Sequence, residues 1–185
     1  MPEPIIFITG NAHKAEQLTE HLDHPVNQQD LDIPEIQSPT LDSTEIVTAK
    51  ARAAFERVGR TVLVEDTSIC FVALGRLPGP YIKAFLHELG PDGLCRLLDG
   101  YDTREAVVET RFALCGQSGV TMFAAAMPCT VAAAPRGETG MGTDSILIPQ
   151  GWDKTWGEMT KQEQVKSSVR LQAIAKLRGH LGGKS

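Results

Sequence analysis

A chain of 185 residues can bury a sizeable core, and 42% apolar with 22% charged residues places it in the soluble globular class. Its formal net charge of −5 argues against a coat for nucleic-acid polymers, while leaving room for a small anion held by a few local lysines. No apolar stretch approaches the roughly 20 residues that a membrane span needs. Met1-Pro2-Glu3-Pro4 lacks a basic leader region, and the four cysteines form no Cys-x-x-Cys, so a cytoplasmic protein with reduced thiols is expected.

Ile5-Ile6-Phe7-Ile8 reads as a buried strand running into Thr9-Gly10-Asn11-Ala12-His13-Lys14 and then a helix carrying Ala15, Leu18 and Leu22. Asn11 is a good N-cap, and Gly10 permits the sharp turn before it. Lys14 is out of place, because a cation in the first turn of a helix opposes the macrodipole. An anion at that terminus resolves the conflict: free N–H groups draw it and the lysine neutralises it, with phosphate the obvious candidate. The Gly-x-x-x-x-Gly-Lys spacing of a P-loop is absent. A capped helix with a solvated lysine remains the plain alternative.

Residues 26–33 read weakly as a strand ending near Ile33-Pro34-Glu35-Ile36. Asp42-Ser43-Thr44-Glu45 has capping-box character and opens a helix to about Val58, with Ile46, Ala49, Ala53 and Ala54 as a narrow apolar face and Lys50 along it. Val62-Leu63-Val64 reads as a short buried strand that stops at Glu65-Asp66-Thr67-Ser68. Two carboxylates at the end of a buried strand are costly unless a cation, ligand or water meets them. In open α/β sheets ligands sit outside the carboxyl ends of strands, which is where this reading puts Asp66. Leu77-Pro78-Gly79-Pro80-Tyr81-Ile82-Lys83 follows as a rigid turn delivering one lysine.

Tyr81 to His87 and Pro91 to Leu98 are expected to be two short helices. Glu105–Cys115 and Thr121–Ala133 are strand candidates joined by the hairpin signal Gly116-Gln117-Ser118-Gly119. Pro135 to Asp144 holds Gly137, Gly140 and Gly142, which suits either a ligand loop or a connector. Thr160-Lys161-Gln162-Glu163 is a capping box opening a helix to about Arg178, with a break near Ser167-Ser168. The order predicts an α/β protein with a mixed sheet, in one domain over residues 1–185. Clustered carboxylates and lysines beside an anion-binding junction suggest phosphate-ester chemistry with Mg²⁺.

Thr9-Gly10-Asn11-Ala12-x-Lys14, Val64-Glu65-Asp66-Thr67, Leu77-Pro78-Gly79-Pro80-Tyr81-Ile82-Lys83 and Pro135-Arg136-Gly137 occur in this order at matching separations. Together they resemble the inosine triphosphate pyrophosphatase (Ham1/RdgB-type) family, over nearly the whole chain and most strongly over residues 5–98. The resemblance implies a long twisted mixed sheet with two lobes, no separable linker and a central cleft, in a homodimer. It further implies a Mg²⁺-dependent hydrolase that converts a nucleoside triphosphate to monophosphate and diphosphate, acting on non-standard purine nucleotides. Carried over by position, Thr9, Asn11 and Lys14 would hold the triphosphate. Glu35 and Asp66 would hold the metal, with Asp66 also orienting or deprotonating the attacking water. Lys50 and Lys83 would neutralise phosphate charge, with Thr67 near the metal.

The departures fall on base recognition. The family's Phe-Gly-Trp-Asp stands here as Met141-Gly142-Thr143-Asp144, and its Lys-Asn…Ser-His-Arg as Gln164-Val165…Ser168-Val169-Arg170. In relatives the phenylalanine stacks on the purine, a term of roughly 1–3 kcal/mol that Met141 largely forgoes. The histidine reads the 6-keto edge, and Val169 offers no hydrogen bond. Gln164 removes a positive charge, while Arg170 remains. These changes predict an altered or relaxed base preference. They also leave open a nucleotide-binding sensor or scaffold without turnover.

Overall fold

The computed structural model describes residues 3–34, 38, 40–140 and 142–182. Among the described residues, seven strands form one sheet in the order β2-β1-β3-β5-β6-β7, with β4 paired to β3. The strands are β1 (Ile5–Ile8), β2 (Val26–Gln29), β3 (Val62–Phe71), β4 (Pro78–Gly79), β5 (Glu105–Gly116), β6 (Gly119–Val131) and β7 (Leu147–Pro149). The helices are α1 (Ala12–Leu22), α2 (Ser43–Val58), α3 (Ile82–Arg96), α4 (Lys161–Ser167) and α5 (Val169–His180). β1 runs parallel to β2 and β3, whereas β4 is antiparallel to β3 and β7 to β6, so the sheet is mixed as expected. No helix among the described residues is long and apolar enough to cross a membrane.

The chain divides into two compact units. The first comprises Met1–Asp66, Thr110–Ala125 and Arg170–Ser185; the second comprises Thr67–Glu109 and Ala126–Val169.

In the first unit, alternation along β1 and β3 sends Ile6, Ile8, Val62 and Val64 to one face, where they bury with Val47, Ala51 and Ala54 of α2. The buried face of α2 is therefore Ile46, Val47, Ala51 and Ala54, rotated from the expected stripe; Ala49 and Ala53 are only half-buried. Ala51 and Ala54 are fully buried, so larger side chains there would overpack the sheet. On the opposite face Phe7 meets Phe112 with ring centroids 6.3 Å apart, and the Arg170 guanidinium lies over Phe112 at 5.5 Å. α1 buries Ala15, Leu18 and Leu22 as predicted.

β3 departs from its expected end. It continues through Glu65 and Asp66 to Phe71, because Ile69 and Phe71 restore buried apolar positions and Ile69 and Cys70 pair with Gly79 and Pro78 of β4. Asp66 is thus within the strand rather than beyond its carboxyl end. Leu77-Pro78-Gly79 is likewise not a free turn: Pro78–Gly79 is itself a short strand, joined by a cis Leu77–Pro78 bond.

In the second unit, α3 is broken at Gly90, whose φ of 67° and ψ of 174° only glycine accepts easily, so two helical pieces result as the sequence suggests. Arg104 ties this unit together by donating to the carbonyls of Val131, Cys95 and Ala132 at 2.7–2.9 Å. α4 begins with the predicted capping box: Thr160 Oγ1 accepts from Glu163 N, and the Glu163 carboxylate accepts from Thr160 N at 2.8 Å. Ser168 separates α4 from α5 at the expected break.

Candidate active site

Six residues from five elements converge within the first unit: Lys14 of α1, Lys50 of α2, Glu65 and Asp66 of β3, Arg111 of β5 and Arg170 of α5. The β1–α1 junction is shaped as its sequence requires. Thr9 Oγ1 accepts from Asn11 N at 3.1 Å, and Asn11 Oδ1 caps the helix by accepting from Lys14 N at 3.2 Å. Lys14 then turns its ammonium toward Glu65 Oε1, 3.3 Å away. The partner that offsets the helix dipole is therefore a buried protein carboxylate, and the lysine stays 38% exposed.

Glu65 is 6% exposed, an ionisable group deep in a strand, and such groups persist only when paired. Burial pushes its carboxyl up, but Lys14 and Arg170 together outweigh that and hold it below the ordinary value. Arg170 grips it with two parallel bonds, Nε to Oε1 and Nη2 to Oε2, both at 2.9 Å. The same guanidinium donates from Nη2 to the Lys14 carbonyl at 3.0 Å and from Nη1 to Gln17 Oε1. Lys50 Nζ donates to the Glu65 carbonyl at 3.3 Å.

Asp66 behaves differently from its neighbour. Burial raises its pKa, Lys50, Lys14 and Arg111 oppose the rise, and the Glu65 charge adds to it; the net direction is upward. Its Oδ2 is buried and has no hydrogen-bond partner among the described residues. A buried anionic oxygen without a donor is a costly arrangement that a cation would relieve. The described residues contain no group of three or more His, Cys, Asp or Glu able to hold a metal unaided. The hard oxygen donor Asp66 Oδ2 fits an ion such as Mg²⁺, which takes one or two carboxylates and completes its shell with phosphate oxygens and water. Glu35, the other expected metal ligand, lies outside the described residues.

The remaining expected residues belong to the second unit. Thr67 follows Asp66 on β3 and is half-buried, and Lys83 is exposed in the first turn of α3. Gly142, Thr143 and Asp144 lie in the glycine-rich loop, where Thr143 O accepts from Ile146 N and Asp144 O from Gly157 N. Met141 lies outside the described residues. The loop is held closely: a Cβ on Gly137, whose φ is 86°, would sit 2.1 Å from the Gly157 carbonyl. Gln164 Nε2 donates to Trp156 O at 2.8 Å and to Thr139 Oγ1 at 3.4 Å, so its amide braces the loop. Val169 is buried at 6% exposure.

The sequence marks Glu65 only as a carboxylate in need of a partner, and points to no role for Arg111 or Gln17. A carboxylate in an otherwise apolar run was the signal for Glu65. Arg111 gave only a cation in a strand, and Gln17 gave none.

The Ham1 family model matches residues 5–180. Inosine triphosphate pyrophosphatase 2 of Trypanosoma cruzi is 39% identical over 180 residues, covering 95% of this chain and 91% of that protein. The inosine triphosphate pyrophosphatase of Schizosaccharomyces pombe is 39% identical over 183 residues, covering 97% and 95%. Among solved structures, a HAM1 protein from Coxiella burnetii superposes with a TM-score of 0.86 at 22% identity, covering 98% of this chain and 99% of that one, so the fold is shared. A match across nearly the full length, in sequence and in fold, makes this chain a member of the Ham1 family.

Proposed function

We propose that the protein is a Mg²⁺-dependent nucleoside triphosphate pyrophosphohydrolase acting on non-standard purine nucleotides of the inosine or xanthosine type, with relaxed base preference. The observation that carries the reading is the pairing of a lysine-bearing helix N-terminus with a buried Asp66 oxygen, in the same unit, that has no hydrogen-bond partner among the described residues. Named relatives at 39% identity support the substrate class.

Hydrolysis of a phosphoanhydride asks mainly for positioning and charge neutralisation. Thr9, Asn11 and the first amides of α1 orient the polyphosphate, and Lys14 and Lys50 neutralise it. Asp66 holds the attacking water and accepts its proton as the α–β anhydride bond breaks, giving nucleoside monophosphate and diphosphate. Asp66, together with Glu35, would hold Mg²⁺, which supplies further neutralisation of the phosphate oxygens when bound. Lys83 and Thr67 assist with phosphate charge. Gly142, Thr143, Asp144, Gln164 and Val169 stand where relatives read the base, and with Met141 they provide little stacking and no 6-keto donor at position 169. A homodimer and a cytoplasmic site of action follow from the same family reading; sedimentation velocity tests the first.

The deciding assay is diphosphate release with Mg²⁺ from ITP, XTP, dITP, ATP and GTP. Turnover of the inosine and xanthosine substrates is expected, with a preference over ATP of about tenfold rather than the several-thousand-fold that a buried base-reading hydrogen bond supports. Binding of every triphosphate without release from any would overturn the assignment.

A further inference from the structure

Arg170 stands where a substrate contact was expected, yet its bonds run inward. Its Nε, Nη1 and Nη2 donate to Glu65, Gln17 and the Lys14 carbonyl, its face lies on Phe112, and its side chain is only 13% exposed. Lys14, in contrast, is 38% exposed and shares a single oxygen, Glu65 Oε1, with Arg170. Two cations thus serve one carboxylate, and they do so unequally.

A guanidinium fork matches a carboxylate with two parallel bonds, whereas an ammonium is a point charge that can approach one edge. Arg170 occupies both oxygens at 2.9 Å, and Lys14 is left with the longer 3.3 Å approach. Without Arg170, the buried Glu65 charge would have Lys14 as its nearest cation and would draw the ammonium in fully. A lysine so paired exerts little pull on an arriving phosphate. Arg170 also anchors the Lys14 carbonyl, which fixes the main chain from which the ammonium reaches out.

We propose that Arg170 is a positioning residue that satisfies the buried Glu65 carboxylate and thereby releases the Lys14 ammonium for a polyphosphate, without touching that ligand itself. This inference rests on the pyrophosphohydrolase reading for the identity of the anion. It goes beyond that reading in assigning Arg170, Glu65 and Lys14 to one charge-partition device.

Calorimetric binding of inorganic tripolyphosphate to the full chain, at fixed ionic strength, first with EDTA and then with Mg²⁺, tests it. Arg170→Met should weaken binding about tenfold, within the range for residues sharing one network. Glu65→Gln/Arg170→Met should recover affinity to within about threefold of the parent, because the competing charge is gone. Lys14→Met should lose as much as Arg170→Met, and the two together should lose no more than either alone. In turnover, Arg170→Met should raise KM for ITP and leave kcat within about threefold.

Unchanged binding in Arg170→Met, no recovery in the double variant, or additive losses with Lys14→Met would each overturn the proposal. Should Arg170→Met fail to fold, Glu65→Gln alone decides, since it is expected to bind tripolyphosphate more tightly than the parent, and weaker binding overturns the proposal. A parent protein that hydrolyses ITP while the variants behave otherwise than stated refutes this inference alone. A parent that neither binds tripolyphosphate nor hydrolyses any triphosphate refutes the pyrophosphohydrolase reading and this inference together.

Discussion

The two units of the molecule use polar side chains in opposite ways. In the first, charged groups from distant segments face one another: Glu65 is held by Arg170 from 105 residues away, and Asp66 keeps an oxygen without a donor among the described residues. In the second, polar groups serve the scaffold. Gln164 braces Trp156 and Thr139, Trp156 Nε1 donates to Ser167 Oγ at 2.9 Å, and fully buried Thr155 donates to Arg136 O. A group whose hydrogen bonds are complete adds stability but has little left for a ligand, whereas an unsatisfied buried one signals something still to bind. The proposed function accordingly rests its phosphate chemistry mainly on residues of the first unit.

Substitutions in each unit test this division of polar groups. Asp66→Asn should give the largest effect, a fall in kcat on the order of 10³-fold or more with the thermal midpoint held or raised, because a costly buried charge is removed. Retained turnover in a steady-state assay would take Asp66 out of the mechanism. Gly137→Ala, in the second unit, should act on stability instead. At φ 86° with the Gly157 carbonyl 2.1 Å from the new methyl, the loop must shift, costing about 3 kcal/mol in urea unfolding. A loss below about 1 kcal/mol would show that the loop is loosely held.

Thr160→Ala should cost about 1 kcal/mol by removing the α4 cap, with kcat/KM unchanged. An activity loss out of proportion to stability would give the second unit a catalytic part. The smallest effect concerns acid. Bonds from Lys154, the Thr160 amide and the Thr160 hydroxyl lower the Glu163 pKa from 4.5 to about 2. A depressed carboxyl contributes stability that is complete above about pH 4.5 and is lost as pH falls toward 2. Over that window the urea midpoint of the parent should fall more steeply than that of Glu163→Gln; parallel curves would mean the pair does not matter.

What could be read from sequence follows from how local each determinant is. The α4 capping box, the Asn11 cap and the break at Ser168 were legible because each is settled within a few residues. The end of β3 was misread because Glu65 and Asp66 resemble a strand stop, and only their cationic neighbours from α1, α2, β5 and α5 make a continuous strand tolerable. The rotated face of α2 had a similar cause: Ala49, Ala51, Ala53 and Ala54 are interchangeable by composition, and the sheet selects among them. Lys14 stands out in the sequence as an anomaly of charge against dipole, but its carboxylate partner lies 51 residues away and only the fold reveals it. Arg170 was recognised through family position alone, and its inward bonding emerges only from the fold.

The claim under all of this is that Asp66 and Lys14 serve one reaction at the α–β anhydride. Phosphorus NMR of ITP turnover, followed in the parent and in Asp66→Asn, reads it most directly. The account predicts inosine monophosphate and diphosphate in equal amounts from the parent, and neither from the variant. Orthophosphate with inosine diphosphate, or equal product from Asp66→Asn, would contradict it.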